Sequence, residues 1–229
     1  MTAHRALVWT VTVLGALAAG CGQGPQPAPS ASAPPAQPAR ESAVADDRPV
    51  IVAFGDSLTA GPGVDEKASY PAVLEKLLEA RGHRYRVVNA GISGDTTGGG
   101  LARVEVVLSY RPRIVIVELG ANDGLRGLPV ETTRANLEQI ITTLQHAGAR
   151  VVLAGMTLPP NYGPEYVRSF EQIFVELSQE YKTPRIPFLL EDVAARPDRM
   201  LPDGLHPNAA GHQIVAANVL RVLEPLLEP

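Results

Sequence analysis

The chain has 229 residues, 45% of them apolar and 19% charged, with a formal net charge of −4. That length supplies one sizeable core, and the balance of residue types is that of a globular domain. The basic surplus of nucleic-acid binders is missing, so no nucleic-acid partner is expected.

Residues 1–20 stand apart from that domain. His4 and Arg5 give a short cationic start, and Ala6 to Gly20 carries no charge. At fifteen residues this run is shorter than the ~20 that cross a bilayer, and it reads as a secretory signal peptide. The single cysteine, Cys21, excludes an intramolecular disulfide. Leu17-Ala18-Ala19-Gly20-Cys21 resembles the lipobox of bacterial lipoproteins, with Ala18 where leucine is usual. The resemblance implies lipid attachment at Cys21. It also implies an exported bacterial protein held to a cell-envelope membrane, on its periplasmic or surface side. The alternative is a plain signal peptide cleaved nearby, which leaves a free thiol in an oxidising compartment.

Gly22 to Arg48 is rich in Pro, Ala, Ser and Gln and has no aromatic residue, Leu or Ile. Nothing in it offsets the entropy of ordering, so residues 21–48 are expected to be a tether. At ~3.1 Å per residue it reaches at most about 80 Å. The domain proper is then 49–229.

From Pro49 onward strands and helices alternate. Val50 to Phe54 is an unbroken apolar run, the pattern of a strand buried on both faces. It stops at Gly55 and delivers Asp56 and Ser57 at its carboxyl end. Val73, Leu74, Leu77 and Leu78 predict a helix over 70–81, ended by Gly82. Tyr85 to Ala90 is a second strand. Leu101, Val104 and Leu108 mark one helix, closed before Pro112. Arg113 to Leu119 is a third strand, and Leu137, Ile140, Ile141 and Leu144 line the next helix. Arg150 to Gly155 is strand four, followed by a helix carrying Val167, Phe170, Phe174 and Leu177. Arg185 to Leu190 reads as a fifth strand near an edge, because Pro187 cannot donate to a ladder. Ile214, Val215, Val219 and Val222 face inward on a last helix. Five strands each followed by a helix imply an α/β fold with a parallel sheet covered on both faces. The usual strand order is 2-1-3-4-5, with its switch point between strands one and three.

Ligands bind outside the carboxyl ends of strands in such sheets, so the loops there carry the candidate site. Strand one offers Ser57 as a nucleophile. Strand three ends in Gly120-Ala-Asn122-Asp123, and the Asn122 amide is a candidate oxyanion donor, although Asn and Asp also favour plain turns after strands. The second strand leads into Gly91-Ile-Ser-Gly94-Asp-Thr96, where the Gly94 N–H is a further candidate donor. Gly98-Gly-Gly100 lacks the lysine ending of a phosphate loop, and Asp95 breaks the nucleophile-elbow pattern around Ser93. Among the histidines, His4 lies in the signal, His83 in a polar turn, His146 at a helix end and His212 on the surface or in the core. His206 differs, because Asp203-Gly-Leu-His206 sets a carboxylate three residues before it. Asp203 can orient one imidazole nitrogen while the other faces Ser57, though such a pair taken alone is more often structural. No second His or Cys has ligand spacing with it, so no metal is expected.

Gly55-Asp-Ser-Leu58, Gly91-Ile-Ser-Gly-Asp-Thr96, Gly120-Ala-Asn-Asp123 and Asp203-Gly-Leu-His206 together resemble, in order, the four blocks of the SGNH (Gly-Asp-Ser-Leu) hydrolase superfamily. The likeness runs over roughly residues 50–225. Val117 to Gly127 and Leu158 to Gly163 look like its bacterial arylesterase, acyl-CoA thioesterase and lysophospholipase branch. The resemblance implies a flavodoxin-like three-layer α/β/α sandwich and a serine esterase without a cofactor. It would make Ser57 the nucleophile, His206 the base and Asp203 its orienting acid, with an oxyanion hole of Ser57 N–H, Gly94 N–H and Asn122. Asp56 and Asp123 match the blocks but are expected to shape loops.

The expected substrates are fatty acyl, lysophospholipid or aryl esters and thioesters. Leu125, Leu128, Leu158 and Tyr162 lie in loops that would line an apolar acyl groove or simply pack those loops. A carbohydrate or peptidoglycan O-acetylesterase is the alternative within enzymes, and an inactive lipid-binding lipoprotein the alternative outside them. The expected partners are the substrate and the membrane at Cys21, for a monomeric chain.

Overall fold

A computed structural model of the chain describes residues 46–227. The signal segment, Cys21 and the tether up to residue 45 lie outside the described residues. Of the expected tether, Arg48 already contacts the domain: its guanidinium donates to Glu75 at 3.0 Å.

β1 (Val50–Gly55) is buried along its whole length, which is why its sequence is an unbroken apolar run rather than an alternating one. β2 (Arg86–Gly91) and β3 (Ile114–Glu118) flank it, and β4 (Arg150–Ala154) and β5 (Arg185–Ile186) extend the sheet on the side of β3. All neighbours are parallel, in the order β2-β1-β3-β4-β5. Gly55 stands level with Gly91 on one side and with Glu118 on the other. The chain therefore leaves three adjacent strands at one height.

The helices are α1 (Ser57–Ala60), α2 (Tyr70–Ala80), α3 (Thr97–Ala102), α4 (Val104–Ser109), α5 (Ala121–Leu125), α6 (Val130–His146), α7 (Pro164–Glu180) and α8 (Ala209–Leu223). α2 packs with α8, whereas α3, α4 and α7 pack around α6, giving one helical layer on each face of the sheet. Phe170, Ile173, Phe174 and Leu177 form the buried stripe of α7. The rings of Phe170 and Phe174 meet edge to face, 5.3 Å apart at 73°, a geometry that contributes about 0.5–1.5 kcal/mol beyond the area it buries. The expected three-layer α/β fold and its strand order are both present.

The elements differ from the sequence reading in three respects. The single helix expected around Leu101 to Leu108 is two, α3 and α4, because Arg103 leaves the helical region at φ −120°, ψ 14°. Its guanidinium is drawn to the carbonyls of Ala90 and Gly55, at 2.8 and 2.9 Å. The fifth strand ends at Ile186 rather than Leu190, since Pro187 has no N–H to continue the ladder. Two short helices, α1 and α5, start directly after β1 and β3, where the sequence reading has only loops.

His212 lies in the core, 1% exposed. Its Nδ1 accepts from the Tyr70 N–H at 3.2 Å, tying α8 to the first turn of α2. Burial, with the charge of His206 adding to it, lowers its pKa from 6.5 to about 4. The unfolded chain therefore takes up this proton first as the pH falls, and the stability lost lies between pH 6.5 and about 4. His212→Asn keeps an acceptor for Tyr70 but cannot be protonated. It is expected to remove up to about 3 kcal/mol of that acid-induced loss, measured by urea unfolding across the interval. An unchanged pH slope would refute the assignment.

Candidate active site

Asp56 and Ser57 turn the chain from β1 into α1. Asp56 caps the helix: its Oδ1 accepts from Leu58 N–H at 3.0 Å, which satisfies a donor left free at a helix start. The capping bond spends the Asp56 carboxylate on the loop, so the neighbouring Ser57 hydroxyl is the group presented to solvent. Ser57 is half-buried.

His206 reaches Ser57 from the far end of the chain, on the loop that precedes α8. Its Nε2 lies 2.9 Å from Ser57 Oγ, a contact across 149 residues. On its other side Nδ1 lies 2.7 Å from Asp203 Oδ2. Asp203 Oδ1 accepts from the backbone N–H groups of Leu205 and His206, at 2.9 and 3.0 Å. The carboxylate is thus fixed by its own loop. The hydrogen bond to His206 is the main cause that holds its pKa down to about 2. A carboxylate at Nδ1 selects the tautomer with the proton on that nitrogen and leaves Nε2 as an acceptor for the serine hydroxyl.

The third corner is built by β3. Asn122, in the first turn of α5, donates through Nδ2 to Asp56 Oδ2 at 3.0 Å and to the carbonyl of Asp95 at 2.9 Å. Its amide therefore bridges the Ser57 turn and the glycine loop. That loop turns at Gly94, where φ is +81°, a region that strains any residue with a Cβ. Arg126 donates to the Gly94 carbonyl at 2.8 Å, and Arg103 to the Asp95 carboxylate at 2.7 Å. The Ser57 and Gly94 N–H groups have no partner among the described residues. Asp123 faces away from the site and holds the start of α3, accepting from the Thr97 N–H at 2.8 Å and from its hydroxyl at 2.5 Å.

Ser57, Asn122 and His206 open onto a cavity of about 410 Å³. Its other walls are mostly apolar, formed by Leu125, Met156, Leu158, Phe188, Leu190, Met200 and Leu205 among others. Of the four groove residues expected from sequence, Leu125 and Leu158 line it. Leu128 and Tyr162 do not. The Tyr162 hydroxyl donates to the Leu125 carbonyl, and the Tyr166 hydroxyl to that of Leu128, each at 2.8 Å. These contacts prop the loop after β3 from behind. Among the described residues no group of three His, Cys, Asp or Glu is placed to hold a metal.

Several residues of this site escape a sequence reading. Arg103 and Arg126, which clamp the glycine loop, look like ordinary surface charges. Met156, Phe188 and Met200 sit in segments with no motif. Glu118 leaves a trace: it is the one acid in the apolar run of the third strand, and it is fully buried.

Comparison with known proteins gives the chain's family. Residues 53–214 match the GDSL-like Lipase/Acylhydrolase family. The chain is 42% identical over 178 residues to Esterase TesA of Pseudomonas aeruginosa, covering 77% of this chain and 89% of that protein. It is 39% identical over 178 residues to Thioesterase 1/protease 1/lysophospholipase L1 of Escherichia coli, covering 77% of this chain and 84% of that protein. The crystal structure of TesA superposes with a TM-score of 0.75 at 41% identity, over 78% of this chain and 99% of that one. A chain with this sheet, these four loops and these relatives belongs to the GDSL-like lipase/acylhydrolase family.

Proposed function

We propose that the protein is a serine esterase that cleaves acyl esters or thioesters through an acyl-Ser57 intermediate. One observation carries the reading: the hydrogen-bonded line Ser57–His206–Asp203 ends at the mouth of an apolar cavity. The names of its relatives, an esterase and a thioesterase/lysophospholipase, support it.

In this reading Ser57 Oγ attacks the acyl carbon as its proton passes to His206 Nε2. The carbonyl oxygen becomes an oxyanion. Ser57 N–H and Gly94 N–H are the unspent donors for it, and the Asn122 amide, held by Asp56 and Asp95, shares one of its hydrogens. Collapse of the intermediate breaks the bond to the leaving alcohol or thiol, which takes its proton from His206. Water then enters, His206 removes its proton, and a second collapse releases the acid and restores Ser57. Asp203 stays ionised throughout and balances the transient imidazolium. No step involves Asp56.

The apolar walls favour acyl chains beyond acetyl, because each buried methylene is worth about 0.8 kcal/mol. Residues 1–20 and Cys21 are read, with this activity, as a signal and a lipid-attachment site that place the enzyme at a membrane surface. The pattern Leu17 to Cys21 supports that part.

Ser57→Ala is expected to abolish turnover of p-nitrophenyl butyrate and covalent labelling by an organophosphate. Asn122→Ala is expected to lower kcat by about 10²–10³. Wild-type turnover of folded Ser57→Ala would sink the mechanism. Half-buried Ala194 lines the cavity, and Ala194→Phe is expected to lower kcat/KM for octanoate at least about tenfold while sparing acetate. A protein that prefers acetate and is indifferent to Ala194→Phe is an O-acetylesterase instead. Cys21→Ser is expected to move the full chain from the detergent phase to the aqueous phase on Triton partitioning. An unmodified Cys21 in the mass spectrum would overturn the anchor.

A further inference from the structure

Two carboxyl groups lie behind the nucleophile, and the reaction derived above uses neither. Asp56 and Glu118 are both without solvent exposure. Glu118 ends β3 beside Gly55 and fills the space that a side chain at Gly55 would occupy. An added Cβ there would stand 2.3 Å from Glu118 Oε2 and 2.2 Å from Thr59 Oγ1. Glu118 Oε2 accepts from the Asp56 N–H at 3.2 Å and from the Thr59 hydroxyl at 2.7 Å. The Tyr70 hydroxyl lies 3.1 Å from Thr59 Oγ1 and closes this chain of contacts. Glu118 Oε1 is buried and receives no donor.

Glu118 Oε2 thus sits on the Asp56 backbone, and both carboxyls are buried beside the same turn. Two neighbouring buried carboxyls without a counterion cannot both stay charged, so one of them holds a proton. Asp56 accepts N–H bonds from Leu58 and Asn122, which favour its charged form. Glu118 has an oxygen that no donor serves, which favours its neutral form. Arg103 supplies no counterion to either, because its guanidinium is spent on Asp95, Ala90 and Gly55. Burial first, and then the Asp56 charge, drive Glu118 well above the carboxylate range, whereas Asp56 rises, through burial, to about 6.

We propose that Glu118 is a positioning residue that acts as a neutral acid, holding Asp56 as the carboxylate that orients the Asn122 amide toward the oxyanion. This rests on the reading above in which Asn122 serves that oxyanion. Glu118 touches no reacting atom. Its effect passes through Asp56 Oδ2 to Asn122 Nδ2, and the loss should fall on kcat rather than on KM.

The test is a double-mutant cycle on the full-length protein with p-nitrophenyl butyrate, each variant first shown folded by circular dichroism. Glu118→Gln retains a neutral donor and acceptor and is expected to keep kcat within about threefold of wild type. Glu118→Met removes both and is expected to lower kcat about 10- to 100-fold with KM within threefold. In the Asn122→Ala background the same Glu118→Met change is expected to cost under about threefold. If Glu118→Met does not fold, Glu118→Asp, which withdraws the acid by one methylene, takes its place with the same expectations. A loss in Glu118→Gln as large as in Glu118→Met overturns the neutral-acid assignment. A full loss that persists beside Asn122→Ala shows that Glu118 acts on the scaffold and overturns the proposal alone. Wild-type kcat in Asn122→Ala by itself overturns the oxyanion reading, and this proposal with it.

Discussion

β1 cannot face water on either side. β2 and β3 take its backbone hydrogen bonds, and the two helical layers cover its side chains. Its one exit is the carboxyl end, where the chain leaves the sheet level with Gly91 and Glu118. Every polar group of the site is placed relative to that exit. Ser57 is two residues beyond it, Asn122 four residues beyond Glu118, and Gly94 three beyond Gly91. A parallel sheet puts these ends on one side because all its strands run the same way. The contact between Ser57 and His206 then needs only the loop before α8 to fold back over the same edge.

Three acids near the site have three different surroundings. Asp203 is partly exposed, accepts three hydrogen bonds and remains ionised far below neutral pH. Asp56 is buried but accepts two N–H bonds. Glu118 is buried with one oxygen unserved. The order of their affinities for a proton follows from desolvation and from how many donors each oxygen meets. The charge closest in sequence to Ser57 is therefore the one bound to the loop, and the acid paired with His206 lies far along the chain.

Much of this was legible in the residues, for stated reasons. Buried parallel strands must be apolar on both faces, so Val50 to Phe54 and Ile114 to Val117 announce themselves. Ser57, Asn122 and the pair Asp203 and His206 are legible because the topology says which loops meet and because the four blocks resemble those of one family. What escaped depends on side-chain directions that spacing does not encode. Arg103 breaks a helix for two carbonyls in other segments. Pro187 marks an edge strand, and β5 is at the edge of the sheet, but it stops at Ile186, sooner than its apolar run suggests. Tyr162 looked like groove lining because it is aromatic and in the right loop. Its hydroxyl, however, finds a carbonyl behind the wall. Glu118 sat in plain view as an acid inside an apolar strand, yet nothing short of the register with Gly55 tells where its carboxyl goes.

The two tyrosine props have a thermodynamic meaning. Tyr162 and Tyr166 pin the carbonyls of Leu125 and Leu128, so the backbone on that side of the cavity is ordered before any ligand arrives. The conformational entropy of this wall is lost once, during folding, and not again at each encounter. Met156 and Met200 also line the cavity, and their unbranched thioethers adapt more readily than branched side chains.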